Sequence, residues 1–564
     1  MVYGEMASGQ GRWGKPVLKS VRVVACGTAL AVTAMLAAVP AGAAWAGAGG
    51  RAGHPAELVL RPNHPAPAGI RPRVARPVPL KVPDPAAYAA QKAAANAAAA
   101  RLAARKSPSA SAALAPTLLR NWAGQRDKTA APSDSTGAIG TTRYIELVNA
   151  KAAVYNRTSN TPTASGSLLT LTGCATQLCT DNVFDPQVIW DPGTNRFFYA
   201  ADDVVSARKN LLDFGFSTSA TPTLSAGSWC RYSLNFGSTF PDYPKLGDTR
   251  DFQLIGVNEF NGTKFAGSHI AWMSKPPSGS TCPSASAFKV GQTGTLKNAN
   301  GTDAFTPVPG NQIDTGGTGW AVARPAGIPS TGATFLTLFK VTKSSTGAAT
   351  IPTTGTAVPV SAYKMPASAP QPGTSFKLDT LDGRNTQAVL AVDPAHGGVQ
   401  ALWTQHTVFG GAGAEVRWYE INPATHSLIQ HGTVSSSSLF TFDAAVSPDR
   451  RVNGTTSMFG GDMVIDVVQS SATVLPTIKV ASKVGTGAIS TLTTVATSSA
   501  PDTGFDCAQS MTHLCRWGDY AAATPDPSSP TTGATGLVWG SSMLAAGGSS
   551  TSAGWTTQNF EIRP

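Results

Sequence analysis

DNVFDPQVIWDPGTNRFFYAADD, residues Asp181 to Asp203, holds a short apolar run (Val188, Ile189, Trp190), an Asp-Pro-Gly-Thr-Asn turn and a second aromatic run (Phe197, Phe198, Tyr199). β-formers on both sides of a Gly/Pro/Asn cluster predict a β-hairpin. Its outline returns at Asp443 to Asp449, DAAVSPD, which overlays DPQVIWD at both Asp positions and the Val. Similar strand starts occur at Tyr144–Tyr155, Phe252–Asn258, Gly319–Ala323, Thr386–Asp393 and Ala521–Asp526. Seven starts spaced by 42 to 77 residues leave room for four strands each, with no long amphipathic helix between them. Radial repetition of four-stranded sheets defines a β-propeller, so the expected fold is all-β, a propeller of six or seven blades over 141–564. A pair of β-sandwiches would also give many short strands, but not one repeated Asp-marked signature.

Charge divides the chain. Of 43 Lys and Arg, 17 lie before residue 136, against 5 of the 32 Asp and Glu; the remainder carries 26 against 27. The body is therefore neutral, and a nucleic-acid-binding domain, which would carry its own basic patch, is not expected. Residues 1–46 read as a signal peptide: Arg12, Lys15, Lys19 and Arg22 precede an apolar run from Val23 to Val39 and an Ala44-Trp45-Ala46 cleavage site. Residues 47–135 read as a basic, Pro/Ala-rich, disordered spacer, with one helix favoured by propensity between Ala86 and Lys106. Such a spacer could adsorb electrostatically to an anionic cell envelope.

Six cysteines remain after the signal: Cys174, Cys179, Cys230, Cys282, Cys507 and Cys515. An even number in an exported chain predicts disulfides; proximity favours 174 with 179, 230 with 282 and 507 with 515, among about 15 connectivities. Paired Cys-x-x-Cys or His in ligand spacing is lacking, so no metal-ligand set is assigned. No cofactor is expected; calcium, held by loop Asp oxygens, is the ion that would fit as a structural ligand.

Asp382-Gly383-Arg384, the segment LWTQHT, Arg417-Trp418-Tyr419-Glu420 and Arg516-Trp517-Gly518-Asp519-Tyr520 resemble segments of secreted bacterial propeller proteins loosely related to the sialidase and BNR-repeat group. The resemblance spans about Thr141 to Pro564 and implies a propeller, export and often no assigned activity. The intact Ser-x-Asp-x-Gly-x-x-Trp box of sialidases is missing; only remnants such as Ala226-Gly227-Ser228-Trp229 stand.

Strand entries should lie around one mouth of a propeller channel. That would gather Asp185, Asp248 or Asp251, Asp382, Asp443 and Asp519, with Arg250, Arg384 and Arg516 beside them. In the structural reading the acids cap loops and pair with the arginines. In a ligand-binding reading the three guanidinium groups fix a sugar carboxylate, with Arg250, Arg384, Arg516, Asp443 and Asp519 as the contacts. Hydrolysis would need Asp185 or Asp382 as acid/base and Tyr520 as nucleophile. Asp314-Thr315-Gly316 and Asp502-Thr503-Gly504 read as turns rather than a protease dyad, because neither Gly is followed by Ser or Thr. Trp190, Trp403, Trp418 and Trp539 are expected in blade cores. The expected function is an exported monomer, secreted or held at the cell surface, that binds glycan or protein; a sialidase-like hydrolase and a calcium-stabilised scaffold are the alternatives.

Overall fold

The computed structural model describes residues 60–67, 80–102, 114–175, 179, 181–276, 281–314, 316–452, 458–528 and 535–564. The signal-peptide assignment falls outside the described residues.

Among the described residues seven sheets built on four antiparallel strands follow one another along the chain, alongside two smaller ones; Asn311–Gln312 adds a short parallel strand to the fifth. The first is Thr136–Ile139, Arg143–Val148, Lys151–Asn156 and Pro162–Ser167. The second is Asn182–Asp191, Arg196–Ser206, Lys209–Ser217 and Trp229–Gly237; the third is Phe240–Asp248, Phe252–Asn261, Lys264–Ser274 and Val290–Gln292. Ala304–Pro309, Gly319–Pro325, Ala333–Lys343 and Thr356–Tyr363 make the fourth, and Asn385–Asp393, Val399–Val408, Glu415–Asn422 and Ser427–Val434 the fifth. Phe440–Pro448, Met463–Ser471, Val474–Lys483 and Thr493–Thr497 form the sixth. The seventh takes Ala522–Pro525, Val538–Ala545 and Trp555–Arg563 from the C-terminus and completes itself with Thr117–Ala123, paired to Trp555–Arg563 as its outermost strand.

The first strand of each sheet packs beside the first strand of the next, and Ala522–Pro525 packs beside Thr136–Ile139, so the series closes. The core has the same circular arrangement, because its apolar clusters lie between neighbouring sheets. Phe214 and Phe216 of the second meet Ile255 and Val257 of the third, while Leu336 and Leu338 of the fourth meet Leu390 and Leu402 of the fifth. Trp122 and Trp539 of the seventh meet Tyr144 and Tyr155 of the first. A closed ring of sheets packed face to face is a β-propeller. Trp190, Trp403, Trp418 and Trp539 are buried in these interfaces, as expected.

All three favoured disulfides form, Cys174–Cys179, Cys230–Cys282 and Cys507–Cys515. They fit an oxidising environment. Among the described residues no helix is long and apolar enough to cross a membrane.

Two expectations need correction. First, much of 47–135 is built into the propeller. Leu60–Pro62 adds a fifth strand beside Trp229–Gly237, and Thr117–Ala123 closes the ring. Helix α1, Pro85–Leu102, packs Ala95 and Ala99 on Ala367, Phe409 and Phe440. Composition hid this because alanine supplies a small but real apolar face, and two edge strands need only backbone to pair. Second, the seven strand starts do not all mark the same strand. Those in the second, fifth, sixth and seventh sheets are innermost, whereas Tyr144, Phe252 and Gly319 begin or lie in second strands. A second-to-third hairpin with an Asn-Gly turn carries the same local signal as an inner hairpin.

Candidate functional site at the channel entry

Five of the innermost strands share a device. In the second to sixth sheets the register slips at the same place: Phe184/Gln187, Asp242/Lys245, Phe305/Val308, Asn385/Ala388 and Phe442/Ala445. Four of these bulges turn on a non-glycine residue with positive φ, namely Asp185, Tyr243, Thr306 and Asp443; Asp134 before the first sheet does the same. Left-handed backbone at such residues costs about 1–3 kcal/mol each, so the surrounding ring must hold it. Each bulge bends the strand at the channel entry and aims side chains across it.

The residues so gathered form a buried ionic and aromatic network. Tyr520 donates its hydroxyl to Asp185 Oδ2 at 3.2 Å, and its ring lies 4.8 Å from that of Tyr243. Lys245 Nζ sits 3.5 Å from the Tyr520 ring centroid and 4.1 Å from that of Tyr243. Arg516 pairs with Asp519, and the Trp517 indole donates to Asp443 Oδ2 at 3.1 Å. Arg384 grips Asp382 with two bonds, Nε to Oδ1 at 2.8 Å and Nη2 to Oδ2 at 2.9 Å, and Arg324 adds a third at 2.7 Å. The Arg384 guanidinium also stacks 4.5 Å from the Tyr243 ring.

Burial decides the proton affinities here. It raises Asp134 and Asp185, with the Asp185 charge adding to the rise at Asp134. It pushes Asp242 up to about 7 and Asp519 up to about 6, the latter against the opposing pull of Arg516. Lys245 is driven well below the usual lysine range by the same desolvation. At Asp382 burial pulls upward but Arg324 and Arg384 outweigh it, so this carboxylate stays below the ordinary range. Tyr520 is raised by burial and by Asp185.

Helix α1 and the chain leading into it lie over this rim. Lys92 reaches Thr380 Oγ1 at 2.9 Å, the Leu381 carbonyl at 2.6 Å and Asp379 at 3.5 Å. Gln91 donates to the Ile328 carbonyl, Asn96 accepts from the Ser368 amide, and Arg384 donates to the Lys81 carbonyl. Below the rim, residues of the innermost strands line a small cavity, where Gln387 bonds across to Ala523.

Of the residues singled out in the sequence, Asp185, Asp382, Arg384, Asp443, Arg516, Asp519 and Tyr520 all come to this rim. Arg250 does not. It lies two residues beyond the end of Phe240–Asp248, so it stands at the exit end, exposed, against Asp251 at 3.6 Å. Asp248 is at that end too, joined through Lys275 to Asp191 at 2.6 and 3.0 Å, and Asp251 pairs with Lys343. The three guanidinium groups therefore do not converge on one carboxylate. Asp134, Tyr243, Lys245 and Arg324 were missed. Phe184-Asp185-Pro186, Phe305-Thr306-Pro307 and Phe442-Asp443-Ala444 repeat a Phe-x-small pattern that marks the bulge and could have located the innermost strands.

No protein-family model and no curated protein matches the chain. Among solved structures it is similar to the Dos1 propeller (10% identity, TM-score 0.35, covering 79% of this chain and 95% of that one). It is also similar to an α-L-arabinanase of Penicillium chrysogenum complexed with arabinobiose (10%, 0.33, 64% and 94%). A third is a xylan β-1,4-xylosidase of Bacillus halodurans C-125 (9%, 0.26, 76% and 97%). At these scores the likeness adds nothing to what the closed ring of sheets already establishes.

Proposed function

We propose that the chain is an exported, seven-bladed β-propeller that acts as a binding or adhesion module for glycan or protein at the cell envelope. One observation carries this reading: Asp382 with Arg324 and Arg384, Asp519 with Arg516, Asp379 with Lys92 and Asp185 with Tyr520 hold one another under helix α1. A hydrolase needs an acid that gives up its proton in the working range and a nucleophile made more reactive. Buried acids that hold a proton near neutrality are present in Asp242 and Asp519, but the candidate nucleophile Tyr520 is pushed away from ionisation and Asp382 is held ionised between two guanidinium groups, so the second requirement is not met. A rim whose buried side chains are held by one another gives a rigid platform, and propeller faces built from loops suit recognition of large partners. Export is supported by the three disulfides and by the basic, apolar and Ala-x-Ala order of the N-terminus.

The test is binding of the intact protein to an array of neutral and acidic glycans, with cell-wall fragments and extracellular proteins alongside. Saturable binding to one class supports the module. Failure to retain any of them, in protein shown to be folded, contradicts it.

A further inference from the structure

Away from the channel entry, at the opposite end of the fifth sheet, three ligand-bearing side chains meet. Pro394–His396 is a single 3-10 turn joining Asn385–Asp393 to Val399–Val408. Side chains three apart eclipse in such a turn, which places Asp393 and His396 on one side. Asp393 Oδ1 accepts from the Ala395 amide at 2.7 Å, fixing the carboxylate, and Oδ2 lies 2.5 Å from His396 Nδ1. Glu420, from the third strand of the sheet, brings Oε2 to 3.9 Å from the same nitrogen. Gln430 holds that oxygen from behind at 2.6 Å. One donor atom from each of the three lies within 4.8 Å of the others.

Both carboxylates are fully buried, and Glu420 Oε1 receives no hydrogen bond. Lys483 faces them but gives its ammonium to the Gly485 carbonyl at 2.5 Å. Two desolvated carboxylates in contact require positive charge between them, either a proton or a cation.

We propose that Asp393, His396 and Glu420 form a binding site for one divalent transition-metal ion, with zinc the best match. Donors about 2.0–2.2 Å from a tetrahedral zinc stand roughly 3.3 Å apart, inside the span of separations seen here. An imidazole nitrogen selects against calcium and magnesium, which prefer oxygen throughout. A dication would neutralise both carboxylates, Gln430 would orient Glu420 from the outer shell, and the partly exposed imidazole leaves room for water as fourth ligand. The ion would tie the first hairpin turn of this sheet to its third strand.

The test uses intact, untagged protein stripped with a chelator, then titrated with zinc by calorimetry and with cobalt(II) by visible absorption. One ion per chain is expected, with affinity lowered at least about tenfold in His396→Ala and in Glu420→Gln. Absence of uptake by the unsubstituted protein overturns the proposal, as does equal affinity in both variants. Should the variants fail to fold, the cobalt bands of the unsubstituted protein decide: intense four- or five-coordinate bands support the site, weak six-coordinate bands overturn it.

Discussion

Asp382, expected as an acid/base, and Arg250, expected as a carboxylate contact, were both placed at one channel mouth, and the structure separates them by environment. Asp382 is buried between Arg324 and Arg384, while the Arg250 side chain is 63% exposed. Removing one partner of a buried ionic cluster leaves uncompensated charge, so Asp382→Asn should lower stability by about 3–5 kcal/mol in denaturant unfolding. Arg250→Ala should stay within about 0.5 kcal/mol. A similar small effect of Asp382→Asn would mean that the cluster is solvated. His406 gives a second test. Its ring bonds the Gly383 carbonyl and the Tyr419 hydroxyl, each at 3.0 Å, and burial pushes its affinity for a proton down to about 3. The unfolded chain takes up that proton below about pH 6.5, whereas the folded one resists until near pH 3. The folded state therefore keeps this contribution above about pH 6.5 and loses it as pH falls, by up to about 1.4 kcal/mol per pH unit. Compared with a His406→Gln variant, the unsubstituted protein should lose more stability between pH 7 and pH 4; equal losses would contradict the assignment. The raised acids of the channel entry have the opposite sign but are common to both proteins.

At the scale of elements, helix α1 shows what an Ala-rich sequence conceals. Propensity alone favours a helix between Ala86 and Lys106, and Pro85–Leu102 forms one. Its docking depends on few side chains: Lys92 on Thr380 and the Leu381 carbonyl, and Gln91 and Asn96 on neighbouring backbone. None of these stands out in the sequence, because a lone Lys among alanines reads as solvated. Replacing Lys92 by Met removes the ammonium and keeps the stem. Hydrogen exchange across 85–102 should then accelerate, with the strands of the second sheet unchanged. Unchanged protection of the helix would show that its alanine face alone holds it. The same limit applies to Thr117–Ala123, whose role as a ring-closing strand comes from pairing with Trp555–Arg563 more than 430 residues away and has no local signature.

For the whole molecule, repetition made the fold legible and the strand order did not. Turn chemistry located one hairpin in every sheet, but hairpins of first and second strands look alike, so Asp134, Tyr243 and Lys245 escaped notice and Arg250 was placed at the wrong end. Disulfide pairing was legible because each bridge joins consecutive cysteines of the six. Pairing of the rim charges was not, since it depends on which strand ends face one channel. The central claim is that this pairing suits the entry to binding rather than hydrolysis. The most direct measurement is turnover of fluorogenic sialosides and uronides by the intact protein beside an Asp185→Asn variant. The account predicts release no faster than the uncatalysed background in both. Turnover by the unsubstituted protein that disappears in Asp185→Asn, with folding intact, would contradict it.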